Sequence, residues 1–258
     1  MNNILKKIYW LLIMQAGFDP RRLLYSLRGI PRFVSGWLRF RKRYSGRLSL
    51  LPCLHDWYEA GGSAGGEYFW QDLHVAQKIH QSNPLRHLDV GSRLDGFVAH
   101  VASFREIEVF DLRPIAPMIP RVTFKQMDLM NPSEPLVNYC DSLSCLHALE
   151  HFGLGRYGDS IDPEGYAAGL RNMAEILMQG GVFYLSVPIG IERVEFNAHR
   201  IFDPGKLVKQ AASYGLELKE FASVGPDETL NASEHPLDAI IELGEVSYTL
   251  GIFTFVKQ

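Results

Sequence analysis

The chain has 258 residues, 47% of them hydrophobic and 21% charged, and a formal net charge of −3. That length buries a full core, and that balance excludes a disordered or collagenous chain; no repeat or low-complexity run is present. Three cysteines, Cys53, Cys140 and Cys145, are too few and too irregularly spaced for a disulfide framework, so a reducing compartment is expected.

The small net charge hides a division. Residues 1–47 carry 11 Lys/Arg against one acid, Asp19, whereas the rest carries 15 basic and 28 acidic residues. Two parts are therefore expected, a basic helical arm over 1–47 and a domain over 48–258. The apolar run IYWLLIM follows Lys6 and Lys7 but falls far short of the roughly 20 residues needed to span a bilayer. No small-residue cleavage site follows it, so it does not read as a secretion signal. Asp19-Pro20 forms a helix-opening pair, and Pro31 is expected to interrupt before RFVSGWLRFRKRY. There Phe33, Trp37, Leu38 and Phe40 alternate with Arg32, Arg39, Arg41, Lys42 and Arg43. This mixture suits a helix on an anionic membrane surface, and equally an arm packed on an acidic body. Nucleic acid ranks behind both and is not expected. The cytoplasm is the expected location, peripheral on the inner face of the membrane.

From residue 67 the pattern alternates between helix and strand. EYFWQDLHVAQKIHQ has helical spacing and stops before Asn83-Pro84. RHLDVG reads as a buried strand, DGFVAHVASF as a helix, and IEVFDL, VTFKQMD and CDSLSCL as three more strands. Asp162-Pro163 opens a helix with Tyr166, Leu170, Met173 and Leu177 on one face, and Gly180-Gly181 ends it. VFYLSVP is a fifth strand, Asp203-Pro204 opens another helix, and LELKEF and YTLGIFTFV supply the last strands. Such alternation predicts an α/β fold with a mainly parallel sheet covered on both faces. Ligands of these sheets bind at the carboxyl ends of the strands, near the switch in strand order.

Those ends are polar. The first strand ends in LDVGSRLDG, with Asp89, Gly91 and then Gly96 where a helix begins; the second ends in Asp111 and the third in Asp128. An acid about 20 residues beyond a glycine turn is placed to take ribose hydroxyls. The fourth strand runs into CLHALEHFGLGRYGD, where His147, Glu150 and His151 spell H-x-x-E-H, the pattern of one zinc-protease class. A metal site, another kind of active-site loop and a polar turn all fit these residues. The zinc reading needs both histidines on one helix face with a third ligand downstream. Here the motif follows a strand, and Gly153, Gly155 and Gly158 oppose a long helix, so no metal is expected.

The series HLDVGS, EVFDLRP, MDLMNP, SLSCLHALEHF and LMQGGVFYLSVP resembles the class I S-adenosylmethionine-dependent methyltransferases over about residues 67–258. More narrowly, CLHALEHFGLGRYGD and RVEFNAHRIF resemble a bacterial family of methyltransferase-like proteins associated with surface-polysaccharide biosynthesis. The resemblance implies a Rossmann-like fold with a seven-stranded sheet and S-adenosylmethionine as cofactor. It implies that Asp89, Gly91, Ser92 and Gly96 bound the methionine part and that Asp111 binds the ribose. Asp128 and Leu129 would then lie by the adenine, with Leu146 and His147 closing the far wall. One departure is Arg93, which stands where the family has a second glycine and could crowd the cofactor. A nucleotide-sugar dehydrogenase or epimerase is the rival enzyme, but it requires G-x-G-x-x-G at the same place. A catalytically silent scaffold in a glycan-assembly complex is the rival of another class.

Methyl transfer is an in-line displacement, so alignment dominates catalysis, and a hydroxyl acceptor adds the need for a base. His147, His151 and His199 are the candidate bases, with Glu150 orienting one of them. Asn197 and Arg200, in VEFNAHR, are expected to face the same cleft. The expected acceptor is a sugar or a lipid-linked glycan.

Overall fold

The computed structural model describes residues 9, 12–13, 17–59, 65–115, 118–133 and 136–258. Lys6, Lys7 and most of IYWLLIM lie outside the described residues. The chain divides into two compact units, residues 1–63 and 64–258, later than the boundary at residue 47 that charge alone suggests.

The first unit is built on α1 (Pro20–Arg41), opened as expected: the Asp19 carboxylate accepts from the Arg21 N–H at 2.9 Å, and Pro20 fills the first position. The expected interruption at Pro31 does not occur, and the helix continues through it. A proline there removes one helical hydrogen bond, and the carbonyl that loses its partner belongs to Leu27, on an exposed face where water is at hand. Gly29 is the buried residue of this helix, and a Cβ on it would stand 2.0 Å from the Leu54 carbonyl oxygen. The returning segment crosses α1 at that glycine.

The second unit opens with α2 (Glu67–Ser82), ended by Asn83 in the left-handed conformation. There follow β1 (His87–Val90), a wide turn over Leu94–Val98, α3 (Ala99–Ala102), β2 (Ile107–Asp111), β3 (Val122–Gln126) and β4 (Cys140–Leu146). Next come α4 (Gly165–Ile176), β5 (Leu177–Ile189), and the small hairpin β6 (Arg193–Glu195) and β7 (His199–Ile201). The chain closes with α5 (Pro204–Ser213), β8 (Leu216–Val224), β9 (Leu230–Ser233), α6 (Pro236–Leu243) and β10 (Thr249–Lys257). The main sheet runs β3-β2-β1-β4-β5-β10-β8-β9. β1 to β5 are parallel, and β10 lies antiparallel between β5 and β8.

The sheet has eight strands rather than the expected seven, because β9 adds an antiparallel outer edge to β8. Its short, half-exposed segment carries no apolar run, so nothing in the sequence marks it. Gly180-Gly181 is also not a helix stop. α4 ends at Ile176, Leu177 already pairs with Cys140, and Val182 pairs with Ser142. The glycines thus occupy a bulge inside β5, where Gly180 has φ +76°.

Both faces are covered, as the alternation predicts. Val75, Ile79, Phe97 and Val101 of the α2–α3 side pack on Ile107, Val109 and Ile252. Leu170, Met173, Leu207 and Ile240 of the α4–α6 side pack on Leu88, Phe110, Leu143 and Phe253. β1 lies between β2 and β4, so strand order reverses there and leaves a crevice between diverging connections.

Candidate active site

The floor of that crevice is a closed polar chain. The Asp89 carboxylate, fully buried, accepts from Ser92 Oγ and Ser144 Oγ, each at 2.6 Å, and from the Ser92 N–H at 3.1 Å. His87 lies behind it, with Nε2 3.2 Å from Ser144 Oγ and Nδ1 2.8 Å from Ser142 Oγ. Burial pushes the imidazole down to about 3, so it is neutral, and the network assigns its proton to Nε2. Burial likewise pushes the Asp89 carboxyl up to about 7, against the pull of the serines. Asp89 therefore shapes the turn from below and does not reach into the crevice.

Above it Gly91 turns the chain at φ +69°, donating its N–H to the Phe110 carbonyl at 2.9 Å. A Cβ on Gly91 would lie 3.0 Å from that of Ala148, so only bare backbone fits. A Cβ on Gly96 would likewise meet Asp72, 2.3 Å from its Oδ2. Arg93 needs no glycine conformation, since its φ is −68°. Its guanidinium pairs with Asp95 at 2.8 and 3.1 Å and lies 4.8 Å over the Tyr68 ring, so it does not crowd the turn.

Strand register sets the next two acids in line. Asp111 pairs with Gln126, and the Met127 N–H donates to the Asp111 carbonyl at 3.0 Å, which brings Asp128 alongside. Asp128 Oδ1 accepts from the Met130 N–H at 2.9 Å, and its other oxygen has no hydrogen-bond partner among the described residues. The Asp111 carboxylate, however, is held by Arg113, through Nε at 3.2 Å and Nη2 at 3.0 Å. Leu129 and Leu146 are core residues, 3% and 1% exposed, so neither forms an open wall.

Beyond β4 the chain enters the H-x-x-E-H turn. His147 has φ +52°, a conformation uncommon for any residue but glycine, and its N–H donates to the Ser186 carbonyl at 2.9 Å. Its Nδ1 lies 2.9 Å from Glu150 Oε1, and its Nε2 3.5 Å from Glu67 Oε2. Burial opposes a charge on His147, but the two carboxylates outweigh it and hold the imidazole up at about 9. Glu150, fully enclosed, is held below its ordinary range by the same contact, although burial works the other way. The pair is an imidazolium and a carboxylate, so His147 is no general base at neutral pH. His147 Nε2 and Glu150 Oε2 are the buried side-chain polar atoms left without a hydrogen-bond partner among the described residues.

His151 differs. Burial lowers its pKa, so it is neutral, and its Nδ1 lies 2.7 Å from the Ala198 carbonyl. A carbonyl only accepts, which assigns the proton to Nδ1 and the lone pair to Nε2, 3.8 Å from Glu150 Oε1. His199 is half-buried and also lowered by burial, with Nε2 3.8 Å from Glu195. Asn197 is exposed on the hairpin turn between them. Arg200 departs from the expected role. It is 5% exposed, and its guanidinium donates to the carbonyls of Phe152, Asp162 and Pro163. It clasps the two ends of the glycine-rich loop and does not face a cleft.

His147 Nδ1 and His151 Nδ1 thus serve different partners. Among the described residues, the ligand atoms that converge are those of His55, Asp56 and Glu59, in the first unit.

Residues 121–250, half of the chain, match the family described as "Caenorhabditis protein of unknown function, DUF268". The chain belongs to the DUF268 family. The matched span takes in both histidine segments and Asp128, but not the Gly91 turn or Asp111. Among curated proteins none matches. Among solved structures the chain is similar to a Burkholderia thailandensis 1,6-didemethyltoxoflavin-N1-methyltransferase holding 1,6-didemethyltoxoflavin and S-adenosylhomocysteine, with 16% identity and a TM-score of 0.50 over 93% of this chain and 91% of that one. It is similar as well to a provisionally named sarcosine dimethylglycine methyltransferase from Galdieria sulphuraria, with 15% identity and a TM-score of 0.50 over 72% of this chain and 84% of that one. The fold is the Rossmann-like fold of these methyltransferases.

Four residues that the sequence reading passes over, Glu67, Tyr68, Asp72 and Tyr248, complete the site. Tyr248 donates to Glu67 Oε2 at 2.8 Å, and the Tyr68 ring stacks 4.6 Å from that of His147. Burial pushes Asp72 up to about 6. Tyr68 and Asp72 share the α2 stripe that continues into Val75 and Ile79, and a polar residue within an apolar stripe is the signal that marks them.

Two outcomes follow for this site. His147 has a raised folded pKa, so its stabilisation is complete below its ordinary 6.5 and is lost as pH rises through about 9. Urea unfolding between those values should show a loss on the order of 3 kcal/mol, and His147→Gln should keep only the smaller slope that Asp89, held up at about 7, contributes there. An equal slope in that variant refutes the charged pair. Arg200→Met leaves buried carbonyls unsatisfied and should cost about 2–4 kcal/mol in the same titration, while a loss below about 0.5 kcal/mol would place Arg200 outside the clasp.

Proposed function

We propose that the protein is an S-adenosylmethionine-dependent methyltransferase that O-methylates a sugar hydroxyl, free or lipid-linked, in the building of surface polysaccharide. The observation that carries this is the sequence of strand ends at the switch point, Gly91, Asp111 and Asp128, followed directly by a neutral histidine of fixed tautomer. The two similar enzymes named above are methyltransferases, one of them holding the demethylated cofactor.

The residues fit that cofactor. The bare backbone at Gly91 admits the close approach of its amino-acid part. Asp111 offers a carboxylate to the ribose diol once Arg113 yields, and Asp128 retains an oxygen for the adenine amino group. When bound, S-adenosylmethionine supplies a sulfonium methyl for in-line transfer. His151 Nε2 receives the proton of the acceptor hydroxyl, while the Nδ1–H bond to Ala198 keeps the ring oriented. Arg156, which also donates to the Ala198 carbonyl at 2.7 Å, helps to keep His151 neutral and therefore basic at pH 7. The 71% exposed Phe196 offers a flat apolar face to a sugar ring. His147 and Glu150 hold the turn through their charge pair. The Arg113 grip on Asp111 is the observation that favours the second reading, a silent methyltransferase-like scaffold.

Calorimetry separates the two. S-Adenosylhomocysteine should bind in the micromolar range, Asp111→Ala should weaken it at least tenfold, and Arg113→Ala should tighten it. No heat of binding, or equal loss in both variants, favours the scaffold. With a sugar acceptor in hand, His151→Ala should spare cofactor affinity and lower turnover by roughly 10²–10⁴. Undiminished turnover would remove His151 as the base.

A further inference from the structure

We propose that the first unit docks on an anionic lipid bilayer through one face of α1. Leu23, Leu27, Ile30, Val34 and Leu38 are 48, 55, 43, 41 and 47% exposed. At 100° per residue they fall within an arc of about 80°, a continuous aliphatic stripe along most of the helix. From Leu23 to Leu38 the stripe runs for about 22 Å of the 22-residue helix. Arg21, Arg28, Arg32 and Arg39 fall on the opposite side, within about 40° of one another. The helix contains no acid, and Lys42, Arg43 and Arg47 continue the charge beyond it.

The return segment enlarges this surface without covering it. Together with α1 it walls a groove of about 680 Å³, lined by Phe33, Trp37, Phe40, Leu51 and Trp57, with Leu51 86% and Trp57 62% exposed. Arg32 lies over the Trp57 ring at 3.1 Å, so a cation sits beside the apolar rim. Tryptophan, phenylalanine and arginine at one apolar edge are the composition of an interfacial anchor. No described helix is long and apolar enough to cross a membrane, so the helix would lie in the surface.

Charge decides among occupants. A second copy of α1 would bring together two helices that carry cations and no acids, whereas an anionic headgroup layer neutralises them. Apolar residues and cations then act on the same partner.

The test uses the full chain with vesicles of phosphatidylcholine alone or with 30% phosphatidylglycerol, read by co-sedimentation. Binding should require phosphatidylglycerol and weaken at least tenfold between 0.1 and 0.5 M salt. Leu27→Glu with Val34→Glu should abolish it, and Arg39→Glu with Arg43→Glu should weaken it at least tenfold, with unfolding midpoints unchanged in the Arg pair. Equal binding to both vesicles, no binding to either, or retention by the Leu27/Val34 variant overturns the proposal. So does a dimer in sedimentation velocity that the Leu27/Val34 variant dissolves, which would assign the stripe to a second copy.

Discussion

The Asp89 carboxylate is the point from which the crevice is built. It lies between the ends of β1 and β4 with no access to water, so each of its lone pairs must be satisfied from within. Ser92 and Ser144 do this, and His87 closes the chain behind them. Because Ser92 follows the Gly91 turn and Ser144 precedes Leu146-His147, one buried acid fixes both lips of the switch point. Ser92 Oγ also accepts from the Leu146 N–H at 3.2 Å, which ties the second lip directly to the first. A strand end free to fray would not hold His147 in its left-handed conformation.

From that anchor the loop beyond β4 is held by two buried cations with different partners. The His147 imidazolium lies between the Glu150 and Glu67 carboxylates and joins the turn to α2. The Arg200 guanidinium is answered by carbonyl oxygens and by the Tyr166 ring at 5.2 Å, and joins β7 to both ends of the glycine-rich loop. Carbonyls suit that place. They satisfy a buried guanidinium without a second buried ion, and the loop's own backbone gains partners for groups that no ladder supplies. Gly153 is required where the loop closes, since a Cβ there would stand 1.9 Å from the Asp162 carbonyl oxygen.

The alternation of the fold was legible because each buried strand is a short apolar run and each helix keeps its 3.6-residue stripe. CDSLSCL spans β4 to the residue, and Asp203 caps α5 by accepting from the Lys206 N–H at 2.9 Å. What misled was local chemistry with two uses. Gly-Gly ends helices, but it also forms bulges, and the parallel partner β4 decides between them through a register that no local pattern contains. Pro31 breaks helices whose carbonyls are buried, but this one is exposed on the relevant face. In the site, the strand-end acids are local features and could be read. The charge on His147 could be read only in part: Glu150 lies within the motif, but the second carboxylate, Glu67, is 80 residues earlier and looks like an ordinary first-turn acid of α2.

The same long-range dependence runs across the crevice through Arg113. Its guanidinium holds Asp111 on one side and lies 4.3 Å over the Tyr157 ring on the other. Tyr157 meets the His151 ring edge-on, and Arg156 stands 5.1 Å from the tyrosine. Under the proposed function, ribose and Arg113 compete for one carboxylate. The competition is not lost energy alone. A guanidinium released from Asp111 still has the tyrosine face. Under the proposed function, the ribose site at the end of β2 and the loop that carries His151 are therefore joined through one arginine and one aromatic ring.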